Sequence, residues 1–335
     1  MTVMSSGDYR YNLLIAAFPS AAEPTFESAE MQEFVWGRRW GCTNDVGMLR
    51  AVLIHRPGPE ITEIVDTTEH LSDLGAYGDR EAGWYWRGPE PPDLPRMQAQ
   101  HDALVGLLRQ EGAQIVSTDT VLSRCYKSCS TRDAVIGVGG GAVVCRMGAR
   151  VRRGEELAVT QALGRIGMPI LRTIHGTGLL EGGSFAWLNE RTAVVGVGTR
   201  TNAEGARQLG EVLRTQGVEL ITIDLPGYRQ HIDGILVMID VDTALVNPTL
   251  VPFTLLEQLA ALKIRTIELH PDDHPFTINC LAVRPGRVIM SKTSGYTLDR
   301  LAKERIEVLS LDFEAVCRGG GGIHCSTAPL VRDSV

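Results

Sequence analysis

The sequence predicts an α/β fold of five ββαβ units arranged as a pseudo-symmetric, five-bladed propeller. Three observations predict it. A pattern of apolar strand, amphipathic helix and apolar strand recurs at a period of about fifty residues. Within each copy the hydrophobic period switches from two to 3.6 and back. Charged residues stand at the ends of apolar runs near the unit boundaries, where a shared axial site would draw its side chains.

The elements follow in order. The first copy is read around 49–54, a largely apolar run, with a helix over 96–110. The second has Ala142-Val143-Val144-Cys145 and a helix over 155–166. In the third, 192–197 leads to a helix over 203–216 and a strand over 217–223. The fourth runs from 243–248 through a helix at 253–262 to a strand at 264–269. The fifth runs from 287–290 through 297–304 to 306–311. Each helix carries apolar residues at i, i+3 and i+4, and each closing strand alternates apolar with polar. First strands of such units crowd a central axis and project their ends into one cavity. The repeat reads as a single domain over residues 1–335. The segment 66–95 interrupts it with the aromatic and proline-rich Gly83-Trp84-Tyr85-Trp86-Arg87-Gly88-Pro89, which reads either as a packed Ω-loop or as a lid over the cavity.

The chemistry-bearing residues lie at those strand ends. Arg318-Gly319-Gly320-Gly321-Gly322-Ile323-His324-Cys325 closes the chain's last loop, and its glycines let the backbone approach a ligand closely. Cys325 is the candidate nucleophile, for which an electropositive, partly open setting is expected. Ser130-Thr131-Arg132-Asp133 precedes one apolar run, Glu181-Gly182-Gly183-Ser184 follows another, and His231-Ile232-Asp233 opens a third. A lone aspartate before a strand is usually a solvated turn residue. Several charged groups at strand ends are costly to bury unless they form a site.

The bulk numbers exclude other classes. Forty acidic against 33 basic side chains give a net charge of −7 without a long basic run, which argues against nucleic acid as a partner. Seven cysteines form no paired framework, so a reducing cytoplasm fits best. Cys125 and Cys129 lack a second ligand pair, and His231, His270 and His274 show no HExxH pattern, so neither metal nor cofactor is expected. The apolar patch 13–18 lacks a basic cluster before it, and no run approaches the roughly 20 apolar residues of a membrane span, so neither signal peptide nor membrane association is expected. The oligomeric state stays open, a homo-oligomer included.

The ordered set of an RD motif, an EGG motif, an HxD motif and a C-terminal glycine-rich cysteine resembles the guanidine-modifying, or pentein, superfamily. That superfamily holds arginine deiminases, dimethylarginine dimethylaminohydrolases, agmatine deiminases and amidinotransferases. The resemblance runs from 46–57 to Thr327. It implies Cys325 as nucleophile, His231 as general acid and base, Glu181 as the partner that orients and charges the histidine, and Asp133 and Asp233 as carboxylates gripping a guanidinium. It further implies a small guanidino substrate, such as arginine, an N-methylated arginine or a related compound, attacked through a covalent thiouronium. Ser184 departs from the EGGD of members acting on free arginine, and Thr131 replaces the agmatine-deiminase tryptophan. The EGG motif, against the DAA-like motif of amidinotransferases, favours hydrolysis over transfer to an amine. A third alternative, a non-catalytic binding pentein, predicts loss of the cysteine and histidine, and both are present.

Overall fold

The recurring apolar runs fold as short strands in a computed structural model of the protein, which describes residues 9–20, 28–62, 68–81, 83–87, 90–118, 125–292 and 295–335. Two helices, α1 (Tyr9–Ala17) and α2 (Ala29–Trp36), precede strand β1 (Leu49–Ile54). The segment expected as an Ω-loop or lid holds an antiparallel meander of β2 (Glu69–Leu71), β3 (Ala76–Asp79) and β4 (Trp84–Arg87). Its residues 66, 67, 82, 88 and 89 lie outside the described residues. Strand pairing wins there because Tyr77 and Trp86 stand opposite each other in register, and the Trp86 ring is buried.

Helix α3 (Leu94–Gln110) starts where the Asp93 side chain accepts the Arg96 amide, with Pro95 in the first turn. Met97, His101, Leu104 and Leu108 form its buried stripe. Strand β5 (Gln114–Ser117) follows and pairs parallel with β1.

Four units then repeat one plan. They are β6 (Val135–Val138), β7 (Gly141–Val144), α4 (Glu155–Ile166) and β8 (Ile170–Thr173); then β9 (Phe185–Asn189), β10 (Thr192–Val197), α5 (Ala203–Thr215) and β11 (Glu219–Asp224). Next come β12 (Leu236–Asp240), β13 (Thr243–Val246), α6 (Phe253–Ala261) and β14 (Arg265–Glu268), and finally β15 (Leu281–Arg284), β16 (Arg287–Ser291), α7 (Tyr296–Lys303) and β17 (Glu307–Leu311). In each unit the first two strands pair antiparallel and the last pairs parallel to the second, with the helix as crossover. A short helix, α8 (Glu314–Cys317), leads to β18 (Ala328–Arg332), which pairs antiparallel with β1. The first unit thus takes its first strand from the far end of the chain, a pairing the repeat pattern left out.

Among the described residues every sheet has three strands, and no hydrogen-bonded strand ladder joins the sheets into a closed one. The sheets meet through side chains, β18 against β6, β9 against β12, β12 against β15 and β15 against β1. The core lies between helices and sheets. Leu209 and Leu213 of α5 pack on Val195 and Val218, and truncating the fully buried Leu209 to alanine would cost about 2–5 kcal/mol. Among the described residues no helix is long and apolar enough to cross a membrane.

Candidate active site

Just before the first strand of each unit the chain makes a turn, and those turns carry the polar residues. Short 3-10 turns at Thr131–Ala134, Gly182–Ser184, Ile232–Gly234 and Pro275–Ile278 precede β6, β9, β12 and β15. Each touches the next. The glycine-rich loop before β18 continues the series: His324 donates its amide to the Asn279 carbonyl, and the Cys325 carbonyl accepts the Arg132 amide, both at 3.1 Å. This succession brings Asp133, Glu181, His231, Asp233, Asn279 and Cys325 into one place.

His231 Nε2 lies 2.7 Å from Glu181 Oε2, and its Nδ1 lies 3.6 Å from Asp133 Oδ1. Gly183 explains the EGG motif. Its amide donates to Asp133 Oδ1 at 3.1 Å, and a Cβ there would fall 2.6 Å from that oxygen and 2.8 Å from His231 Nδ1. Any side chain would push the histidine and aspartate apart. Cys325 Sγ lies 3.2 Å from Asp233 Oδ2, the same oxygen that accepts His324 Nδ1 at 3.0 Å. Asn279 also engages the cysteine, with Oδ1 accepting the Cys325 amide at 3.1 Å and Nδ2 donating to Sγ at 3.2 Å.

Two arginines that sequence reasoning missed complete the charge balance. Arg152 Nη1 lies 2.6 Å from Asp133 Oδ2 and 3.7 Å from Glu181 Oε2, and its Nη2 pairs with Glu155 at 2.7 Å. Arg200 Nη1 lies 3.3 Å from Glu181 Oε1. The cavity at this place is lined by Cys325, His231 and Asp133 together with Tyr85, Lys127, Arg152 and Arg200. Of the five residues expected at the site, Glu181 and Asp233 do not line it; they stand behind His231 and Cys325. Asp233, expected beside a guanidinium, spends Oδ2 on the sulfur and on His324.

The electrostatics differ from the expected electropositive setting. Burial, then the Asp233 and Asp133 carboxylates, raise the Cys325 thiol well above its ordinary value, so the resting group is the thiol. Burial alone would push His231 down, but Asp133, Glu181 and Asp233 raise it to about 9 and make it an imidazolium at neutral pH. Glu181 is held well below the usual carboxylate range: burial opposes ionisation, and the His231 hydrogen bond and the Arg152 charge outweigh it. Asp233, likewise opposed by burial, is held at about 2 by His324 and His231. His324 is pushed down by burial and by Arg132, and so donates to Asp233 as a neutral ring.

Ligand atoms of Asp133, Glu181 and His231 lie within 4.8 Å of one another, a donor set that could hold a cation. Arg152 and Arg200 already supply positive charge to both carboxylates, and the His231 imidazolium offers no lone pair there. The arrangement sets a thiol, an imidazolium and a carboxylate at the wall of one cavity. A sequence signal for Asn279 did exist: it occupies the pre-strand position of the fifth unit, as Asp133, Glu181 and His231 do in others. Arg152, Arg200, Tyr85 and Lys127 carried no such positional signal.

The family model for N,N dimethylarginine dimethylhydrolase, eukaryotic, matches residues 94–332. Among curated proteins, the uncharacterized protein YkgA of Bacillus subtilis is 23% identical over 87% of this chain and 95% of its own length. The arginine deiminase of Mycoplasma capricolum is 27% identical over 47% of this chain, which spans about half (48%) of that protein. Among solved structures, the dimethylarginine dimethylaminohydrolase of Pseudomonas aeruginosa complexed with citrulline superposes with a TM-score of 0.69 at 22% identity, over 84% of this chain and 99% of that one. The inosamine-phosphate amidinotransferase of Streptomyces griseus superposes at 0.67 and 16%, over 88% and 97%.

Proposed function

This chain belongs to the N,N dimethylarginine dimethylhydrolase family, within the pentein superfamily, and from that membership we propose that it is a cysteine-dependent hydrolase of a guanidino compound. One observation carries the reading: a thiol, an imidazolium and a carboxylate line one cavity, with a second carboxylate 3.2 Å from the sulfur. We also infer that the five ββαβ sheets stand around one axis as blades, which the succession of touching turns supports.

A guanidinium entering the cavity brings a positive charge beside Cys325, Asp133 and Asp233. It offsets the carboxylates that keep the thiol protonated, so the thiolate forms as substrate binds and the thiol proton is released to solvent, to be taken back when the product leaves. The sulfur attacks the guanidinium carbon, forming a C–S bond and a tetrahedral adduct. His231 gives a proton to the departing nitrogen, the C–N bond breaks, and ammonia or an amine leaves a thiouronium on Cys325. The neutral imidazole, steered by Glu181, then takes a proton from water. The resulting hydroxide attacks the same carbon, the C–S bond breaks, and the ureido product leaves with the cysteine restored. Asp133 and the Gly183 amide hold the geometry for both steps.

The test is incubation with arginine, N-methylated arginines and agmatine in isotopically labelled water, with glycine or lysine added as a rival acceptor. A ureido product carrying the solvent oxygen is expected. An amidino group on the added amine, without ureido product, would replace hydrolysis by amidino transfer.

A further inference from the structure

The apolar patch at 13–18 has no part in the core or in the proposed chemistry. It lies in α1, which enters none of the apolar clusters that hold the fold together. Tyr11, Leu14, Ile15 and Phe18 stand at i, i+3, i+4 and i+7 and so share one face of the helix. Phe18 continues the last turn, its amide donating to the Leu14 carbonyl at 3.0 Å. All four side chains are between 37 and 75% exposed. A nine-residue helix without a partner is marginal in water, because its few hydrogen bonds barely offset the ordering of its backbone. Such a ridge is stable when something covers it.

A surface of matching character lies beside α2. Trp36, Trp40, Ala51, Val116 and Ile166 line a groove of about 300 Å³. Phe34 and Val35, next to Trp36 on α2, are 84% and 51% exposed. No carboxylate lines the groove, and its one cation, Arg38, is spent on the Trp40 ring at 4.8 Å and on Gln114 Oε1 at 3.0 Å. An apolar helix face laid into an apolar groove is a standard way for two chains to join.

The chain's own α1 leaves its own groove open. A second copy supplies the complement, since each chain carries one ridge and one groove, and a two-fold pairing covers both surfaces on both chains. The area is sufficient. At roughly 150–200 Å² for each large apolar side chain, the exposed fractions of the ridge, Phe34 and Val35 come to on the order of 600 Å² per copy. Two copies bring on the order of 1,200 Å², where stable interfaces begin. Both helices lie outside residues 94–332, the stretch that matches the family model, so the surface belongs to this chain's own N-terminal segment.

We propose that α1 of one protomer docks its Tyr11, Leu14, Ile15 and Phe18 face into the groove beside α2 of a second copy, and the reverse, so that the protein is a two-fold dimer. The inference is independent of the hydrolase reading.

The test is sedimentation equilibrium of the full chain over a wide range of concentration, where a reversible dimer is expected. Phe18→Asp and Phe34→Asp change exposed positions, so the protomer should keep its thermal unfolding transition. Each should raise the dissociation constant about a hundredfold or more, because the dimer would bury an unpaired carboxylate. A dimer that neither variant weakens overturns the proposal. A second measurement tells a partner's α1 from the chain's own: Ile15→Cys chains mixed with Gln114→Cys chains and oxidised should give a disulfide-linked pair of the two variants, seen by intact mass. A link that forms only within a chain carrying both substitutions would return α1 to its own groove and overturn the pairing. A monomer at every concentration overturns it too, and flotation of that monomer with phosphatidylcholine vesicles, lost in Phe18→Asp, would assign the face to lipid.

Discussion

Asn279 straddles Cys325: its Oδ1 accepts the cysteine amide at 3.1 Å, so its Nδ2 is the atom turned to Sγ, at 3.2 Å. The backbone bond fixes the amide orientation, and the N–H is therefore a donor committed to the sulfur. Such a donor stabilises thiolate over thiol against the two nearby carboxylates. Asn279→Ala is expected to move the pH dependence of Cys325 alkylation upward and to slow alkylation at a fixed, mildly alkaline pH by about tenfold. Asn279→Asp should slow it further, by adding a third carboxylate. An unchanged profile in both variants would reduce Asn279 to a support for the loop.

Cys325→Ser is expected to fold normally and to lose roughly 10³-fold or more in turnover, since a serine hydroxyl ionises far less readily than a thiol. A haloacetamidine should label Cys325 before the other cysteines. Burial raises Cys42, Cys280 and Cys317 as it raises Cys325, so position decides: none of those three lines the cavity where an amidine cation would bind. First labelling elsewhere, seen by peptide mass, would move the site.

The His231 imidazole, raised from 6.5 to about 9, sets two pH dependences. Its stabilising pairing with Glu181 and Asp133 is fully present below pH 6.5 and is lost as pH rises through about 9. Glu181 and Asp233 are depressed, so their contribution is present above the ordinary carboxylate range and is lost as pH falls from there through their lowered values, about 2 for Asp233. Thermal stability should therefore peak between these limbs. Turnover should decline near pH 9 as the acid for the leaving nitrogen is lost. A kcat that keeps climbing well past that pH would remove His231 from that role.

His101 of α3 is wholly buried, and neither ring nitrogen has a hydrogen-bond partner among the described residues. Burial pushes it down to about 4 from 6.5, so the unfolded chain binds its proton more readily, and stability is lost as pH falls through that window. His101→Leu keeps most of the volume and removes two unpaired polar atoms. Urea unfolding should show the variant more stable by about 1–3 kcal/mol at pH 7, with a wider margin at pH 5. A less stable variant at both values would mean that the ring is satisfied in solution.

The sequence by itself determined the repeating unit, the helix limits and most of the reactive residues. The helix expected over 155–166 is α4 (Glu155–Ile166), and the strand expected over 192–197 is β10 (Thr192–Val197). Those limits follow from hydrophobic periodicity, which is a local property of the chain. Asp133, Glu181, His231 and Cys325 were legible because they interrupt apolar runs at one recurring position. Only the tertiary structure decided what each faces. It paired β18 with β1 across nearly the whole chain and set Asp233 behind the sulfur. It also brought Arg152 to Asp133 and Tyr85 of the inserted meander to Lys127 beside the glycine loop. Whether Cys325 rests as thiol or thiolate belongs to that second group. Its ionisation depends on charges that turns distant in sequence carry into contact, and no local pattern encodes the distance between them.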